Sequence, residues 1–213
     1  MRVCLIPMKP LAAAKERLAP ALGASERRTL SLAMLADVVA AARGFDRVWV
    51  LQSDDDAARV AAAGGAEPIA DPAPGRGLNA SLDAATATVV AAGANGVLVV
   101  AADLAAVTAE ELIAVADGDG VVLVPDQSGS GTNVLWRRPG DVIATCFGPS
   151  SRTAHEHAAA EAGAAFRVVD SPRLAADVDT ADALASVWAL GPGPATRHAL
   201  EELGIAARLR PAG

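Results

Sequence analysis

The sequence predicts an α/β protein: a single domain built on a mainly parallel sheet sandwiched by helices. Three observations predict it. Apolar runs of strand length alternate with Ala/Leu-rich segments of helical length along the chain, the order of successive βαβ units. The run Val97-Leu98-Val99-Val100-Ala101-Ala102 is bounded by Asn95-Gly96 and Asp103, and its length favours a buried strand over a helix. Two remote acidic sites, Asp103 and the Asp177-Val178-Asp179 turn, each close a stretch that reads as a buried strand. Carboxylates at the carboxyl ends of parallel strands face the crevice where such sheets bind ligands.

The elements follow in order. A short apolar run, 2–6, ends in Pro7-Met8-Lys9-Pro10, and Ser25 is the expected N-cap of a long helix reaching about Arg43, with Gly44 as its stop. A strand is expected at 48–51, a helix at 54–63 closed by Gly64-Gly65, and a short strand at 67–70. The loop Asp71-Pro72-Ala73-Pro74-Gly75-Arg76-Gly77 leads into a helix over about 78–92. Thr108 and Glu111 have capping-box spacing, so the helix after Asp103 carries its own start. Strands at 121–124 and 133–136 flank a polar, Gly-rich loop. A helix at about 150–162, a strand at 166–169 and helices at about 180–190 and 195–203 complete the chain. Gly191-Pro192-Gly193-Pro194 is the one plausible hinge, setting off a C-terminal helical tail from about 191.

Composition narrows the function. The 213 residues are 52% hydrophobic but only 3% aromatic with no Tyr, so the core is aliphatic. A chain of this size buries roughly 70% of its unfolded surface. The net charge of −7, without a long Lys/Arg stripe, argues against non-specific nucleic-acid binding, which neutralises many phosphates. Cys4 and Cys146 have no metal-site spacing and are expected as reduced, inert thiols. No apolar run reaches signal-peptide or membrane-span length, so a cytoplasmic enzyme is expected.

Four constellations carry chemistry. Asp103, Asp177 and Asp179 offer hard oxygen ligands, the donor set that Mg²⁺-assisted chemistry on phosphates requires, with Asp177 and Asp179 not separable by sequence. Lys9, Lys15 and Arg17 follow the first strand and are placed to offset a triphosphate's charge. Neither a P-loop nor a G-x-G-x-x-G turn occurs there. Gly77-Leu78-Asn79 opens a helix, where glycine lets a ring approach the backbone and Asn79 offers donors and acceptors to a base edge. Phe147-Gly148-Pro149-Ser150-Ser151 starts another helix with free N–H groups and two hydroxyls, an anion site to which Thr132 adds a hydroxyl. His155 and His157 point in different directions from that helix, so a metal pair is not expected, and His155 reads as a surface or packing residue.

Taken together in this order, these segments resemble the 2-phospho-L-lactate/phosphoenolpyruvate guanylyltransferases of coenzyme F-420 biosynthesis. The resemblance rests on Lys9-Pro10-Leu11 with Ala14-Lys15-Glu16-Arg17-Leu18, Gly77-Leu78-Asn79, Asp103-Leu104 and Gly129-Ser130-Gly131-Thr132-Asn133. Phe147-Gly148-Pro149-Ser150-Ser151 with His155, and Asp177-Val178-Asp179-Thr180, complete it. Ala102, Ala105, Ser130 and Ala181 stand where the family more often carries Gly, Pro, Thr and Pro. The resemblance implies a nucleotide-diphospho-sugar transferase fold and transfer of GMP from GTP to a small phosphorylated carboxylic acid. In that reading Thr132, Gly148 and Ser151 bind the acid, Asp103, Asp177 and Asp179 hold Mg²⁺, and Lys9, Lys15 and Arg17 face the triphosphate, with Lys9, Lys15 and Asp103 catalytic. A related nucleotidyltransferase acting on 3-phosphoglycerate, a molybdopterin or a sugar phosphate is the rival reading, and a non-catalytic GTP-binding subunit is a third. A homodimer and hand-over to the next transferase of the pathway fit the same picture.

Overall fold

The computed structural model describes residues 1–11 and 15–209. Ala14 of the basic loop therefore lies outside the described residues, as does the end of the C-terminal tail. Seven strands form one sheet among the described residues, in the order β3-β2-β1-β4-β6-β5-β7. They are β1 (Arg2–Pro7), β2 (Arg47–Gln52), β3 (Glu67–Ala70), β4 (Gly96–Val100), β5 (Gly120–Val124), β6 (Val134–Arg138) and β7 (Phe166–Val168). β6 is antiparallel to both neighbours, β4 and β5; the remaining pairings are parallel. The mainly parallel, helix-covered sheet is the architecture expected from the sequence.

Helices cover both faces: α1 (Ala24–Ala41), α2 (Asp55–Ala63), α3 (Leu78–Ala91), α4 (Ala109–Val115), α5 (Ser151–Glu161), α6 (Pro172–Ala175), α7 (Ala181–Leu190), α8 (Pro194–Glu202) and α9 (Ala206–Leu209). Successive strand residues point to opposite faces, and the core divides accordingly. Cys4, Ile6, Val50, Leu98, Val100, Val122 and Trp136 pack under α1, α2 and α4. Val3, Leu5, Val97, Val99, Leu123 and Leu135 pack under α3 and α5. A third cluster joins Leu30 and Met34 of α1 to Leu18, Ala105, Val178, Leu184 and Leu200. It lies beneath the loops that carry the basic and acidic residues.

Three local expectations are revised. The N-cap of α1 is Gly23 rather than Ser25, because the Glu26 carboxylate reaches back to accept the Gly23 N–H at 2.6 Å. Asp177 does not end a strand: it sits on the loop between α6 and α7, and the stretch before it, expected as a buried strand, forms the short helix α6 from Pro172. The Gly191–Pro194 segment is pinned. The Gly193 N–H donates to the Ala105 carbonyl at 2.7 Å, and the buried Asp37 carboxylate accepts from the Ala195 and Thr196 amides at 3.0 and 2.8 Å. That carboxylate on α1 caps α8 and holds it against the body of the protein.

The junction of β4 with the antiparallel β6 depends on one glycine. Leu98 pairs with Trp136, which is fully buried, and the indole lies over Gly96 two residues away. The indole N–H donates to the Gly118 carbonyl at 3.1 Å, so the ring cannot swing aside. A Cβ on Gly96 would fall within the ring. Gly96→Ala is expected to cost about 1–3 kcal/mol by overpacking, read as a lower midpoint in urea unfolding at unchanged m-value.

Candidate active site

The carboxyl ends of β1, β4, β5 and β7 lie at one end of the sheet, and antiparallel β6 starts there. The loops leaving these ends carry the candidate residues, and several of these sit beside a buried neighbour. Leu104 is fully buried beside Asp103, and Val178 is fully buried between Asp177 and Asp179. Leu18, beside Arg17, is 1% exposed. Apolar anchoring of this kind fixes where a loop carboxylate or cation can reach without burying its charge.

Lys15 is the centre of the acidic cluster. Its backbone has φ 56°, left-handed and uncommon for a residue with a side chain. Its side chain is 9% exposed, and its ammonium donates to Asp103 and, at 3.0 Å, to Asp179. Burial alone would lower the Lys15 pKa; the two carboxylates outweigh it and raise it. Burial likewise pushes Asp179 upward, but Lys15, with Lys9 and Arg17 adding their charge, holds it below the usual carboxylate range. Arg17 lies 3.8 Å from Asp179 and is largely exposed, so this pair contributes little to stability. The three cations named from sequence thus converge on one acid.

Asp177 behaves in the opposite way. Burial, together with the charges of Asp103 and Asp179, raises its pKa against the opposing hydrogen bond from Asn133. The Asn133 amide donates to Asp177 at 3.3 Å and to the Leu174 and Ala175 carbonyls at 3.1 Å. This residue, buried at the start of β6, was named in the sequence motif but given no task. Its neighbours in space come from more than forty positions away, and no local pattern shows them.

Thr132, Gly148 and Ser151 also come together. The Ser151 hydroxyl donates to the Thr132 hydroxyl at 3.0 Å, and Gly148, at φ 137°, turns the exposed loop between them. His155 is fully buried rather than at the surface, contacting Thr132, Cys146 and the Phe147 ring. At the start of α3, next to this loop, Gly77 adopts φ 90°, and Leu78 is an exposed large hydrophobic residue at 42%. Asn79 is engaged: its carbonyl oxygen accepts the Phe147 N–H at 2.7 Å and its amide donates to the Phe147 carbonyl at 2.9 Å. Its polar groups bind α3 to the Phe147 loop, where the sequence reading had them facing a base edge.

Among the described residues no group of three or more His, Cys, Asp or Glu is arranged so as to hold a metal ion by itself. Mg²⁺ does not require one, because it is bound through one or two carboxylates together with waters and substrate phosphates. The donor set fits: all-oxygen, partly exposed, and with an Asp177 whose pKa is raised by burial and then by the charges of Asp103 and Asp179.

A family profile described as guanylyl transferase CofC like matches residues 1–212. The chain belongs to this CofC-like family. Family relatives include the phosphoenolpyruvate guanylyltransferase of Nocardia farcinica, 40% identical over 216 residues covering 96% of this chain and 93% of the relative. That of Sphaerobacter thermophilus is 38% identical over 184 residues, covering 84% and 88%. Solved structures agree on the fold. One from Desulfovibrio desulfuricans G20, provisionally assigned as a nucleotide-diphospho-sugar transferase, superposes with a TM-score of 0.76 at 16% identity, covering 97% of this chain and 96% of that one. CMP:2-keto-3-deoxy-manno-octonic acid synthetase superposes at 0.55 with 13% identity, covering 89% and 97%. The CofC-like chain is therefore a nucleotidyltransferase with the fold the sequence implied.

The strained position of Asp177 gives a test that does not need activity. An acid whose folded pKa is raised destabilises the protein once pH exceeds that pKa, and the cost vanishes as pH falls below the unfolded value. Asp177→Asn removes the charge and keeps the size. Without divalent cation at neutral pH it is expected to raise the melting temperature by about 2–4 °C, equivalent to about 1 kcal/mol for a chain this size. The gain should shrink as pH is lowered toward 4, a trend calorimetry over a pH series would reveal.

Proposed function

We propose that this protein transfers GMP from GTP to phosphoenolpyruvate, releasing pyrophosphate, as a step of coenzyme F-420 biosynthesis. The observation that carries the reading is the convergence of Lys9, Lys15 and Arg17 on the Asp103/Asp177/Asp179 cluster, beside a hydroxyl-lined helix start. The relatives' common description as phosphoenolpyruvate guanylyltransferases supports the choice of nucleotide and acceptor.

In this reading the triphosphate lies over the loop after β1, with Lys9, Lys15 and Arg17 neutralising its oxygens. Gly77 and the exposed Leu78 give the base a flat apolar contact. The acceptor's phosphate meets Thr132, Gly148 and Ser151 at the start of α5, where a helix N-terminus favours an anion. One acceptor phosphate oxygen forms a bond to the α-phosphorus of GTP in line, and the bond from that phosphorus to the β-phosphate oxygen breaks. Pyrophosphate leaves with the electron pair. The attacking oxygen is already ionised, so no general base is required, and rate comes from positioning and charge compensation.

Asp103 and Asp177 are the residues that would hold Mg²⁺, while Asp179 secures Lys15. The ion when bound would offset charge on the transferring and leaving phosphates. The product, a guanosine-diphospho-linked enolpyruvate, would pass to the next transferase in the cytoplasm. Among the described residues no helix is long and apolar enough to cross a membrane.

Mass spectrometry of reactions pairing each of GTP, CTP and ATP with phosphoenolpyruvate, 2-phospholactate or 3-phosphoglycerate tests the proposal. The expected product forms from GTP and phosphoenolpyruvate with one pyrophosphate released. GTP bound without pyrophosphate release would mean a non-catalytic subunit, and a product only with another pair would reassign the substrate. Asp103→Asn is expected to lower kcat/KM at least 100-fold with unchanged circular dichroism, and chelation should stop turnover until Mg²⁺ is restored.

A further inference from the structure

His155 is fully buried on α5, four residues after Ser151, and its two ring nitrogens meet opposite demands. The Cys146 backbone N–H points at Nε2 at 2.9 Å. A backbone N–H can only donate, so Nε2 must accept and the ring proton must reside on Nδ1. The Nδ1–H so fixed faces the Thr132 hydroxyl oxygen at 3.2 Å and donates to it, sharing its proton with the Ser151 backbone carbonyl. Ser151 is 1% exposed, and its hydroxyl donates to the same oxygen at 3.0 Å. Both acceptor positions of the Thr132 oxygen are then filled. Its own proton is left to donate outward, from the partly exposed turn at the top of β6, into the space before the α5 N-terminus.

The surroundings favour this single tautomer. Burial, with the buried Arg137 guanidinium adding repulsion, holds the His155 pKa at about 4. Protonation would also place a second donor against the Cys146 amide. The Phe147 ring packs edge-on at 5.1 Å, so the imidazole cannot flip without disturbing the loop that ends in Gly148.

We propose that His155 is a positioning residue whose ring, accepting from Cys146 and donating to Thr132, turns the Thr132 hydroxyl proton toward the phosphorylated acid. It does not touch the reacting atoms; it sets the polarity of a group that does. The inference rests on the acceptor reading given above and extends it to a residue with no direct contact. A site built from an oriented O–H donor rejects a ligand that cannot accept there, because the alternative is an unpaired polar group.

Three variants separate the two hydrogen bonds. His155→Leu removes both, His155→Asn keeps a donor at the Nδ1 position, and His155→Gln keeps an acceptor at the Nε2 reach. In His155→Leu the KM for phosphoenolpyruvate is expected to rise tenfold or more while the KM for GTP stays within twofold. Asn should recover most of the loss and Gln little of it. Equal changes in both KM values, an unchanged acceptor KM in folded His155→Leu, or rescue by Gln alone would overturn the proposal. Long-range ¹H–¹⁵N spectra of the labelled wild-type protein decide it independently of folding in the variants. A neutral Nδ1–H ring at pH 7 is expected, and an Nε2–H or doubly protonated ring would overturn it. If wild type makes no guanylylated product, the acceptor reading fails, while the spectrum still reports whether the ring is set as described.

Discussion

One ammonium group shared between two carboxylates ties the site together. Lys15 comes from the loop after β1, Asp103 from the loop after β4, and Asp179 from the loop before α7; the contacts span 88 and 164 positions of sequence. Asp103 and Asp179 are partly exposed while Lys15 is mostly buried between them, and removing the ammonium would leave two neighbouring carboxylates uncompensated. Lys15 is what allows two acids to sit close together at the mouth of an aliphatic core. Its left-handed backbone is the local cost of aiming the side chain there, and the anchoring of Leu18 in the third core cluster offsets that cost.

The same cluster gives its three acids different roles. Asp179 is surrounded by Lys15, Lys9 and Arg17 and stays ionised readily. Asp177 has an amide from Asn133 and two like charges nearby, so it gains most from an added cation. That asymmetry separates two residues which occupy equivalent positions in the motif. It arises from the neighbours each faces, Asn133 for Asp177 and Lys15, Lys9 and Arg17 for Asp179, with the fully buried Val178 anchoring the turn between them.

Much of this fold was legible because the strands are short and aliphatic and the helices rich in alanine; β3 fell where its apolar pattern placed it. β6 was also visible as an apolar run, but its antiparallel direction is set by its pairing with β4 and β5 and was not legible in it. What failed was local chemistry with two valid solutions. Ser25 is a good N-cap, but Glu26 can reach back to Gly23, and the cap falls two residues earlier. The Leu174-Ala175-Ala176 run before Asp177 is apolar enough for a strand, yet Pro172 and the Ser171 hydroxyl, which accepts from Leu174, start a helical turn. Site residues were legible as types and not as partners. Asn79 carries the donors and acceptors expected of it, but its contacts lie 68 residues away, where periodicity and spacing carry no information.

Asn79 and His155 together stiffen the loop of glycine, proline and serine that is proposed to meet the acid. Each uses its side chain to satisfy backbone groups of the 146–147 segment: Asn79 both polar groups of Phe147, His155 the amide of Cys146. Asn79 sits in the first turn of α3, directly after Gly77 and Leu78, so one helix start carries both the proposed base contact and the support of the acceptor loop. In the proposed reaction the two substrates would then be positioned by one rigid unit rather than by two independent loops. Reaction rate in phosphoryl transfer depends on in-line alignment held to a fraction of an ångström, and shared support lowers the entropy lost on reaching it. A loop held only by its own turns would leave that alignment to chance, which is why the side chains spent on the 146–147 backbone matter as much as those facing the crevice.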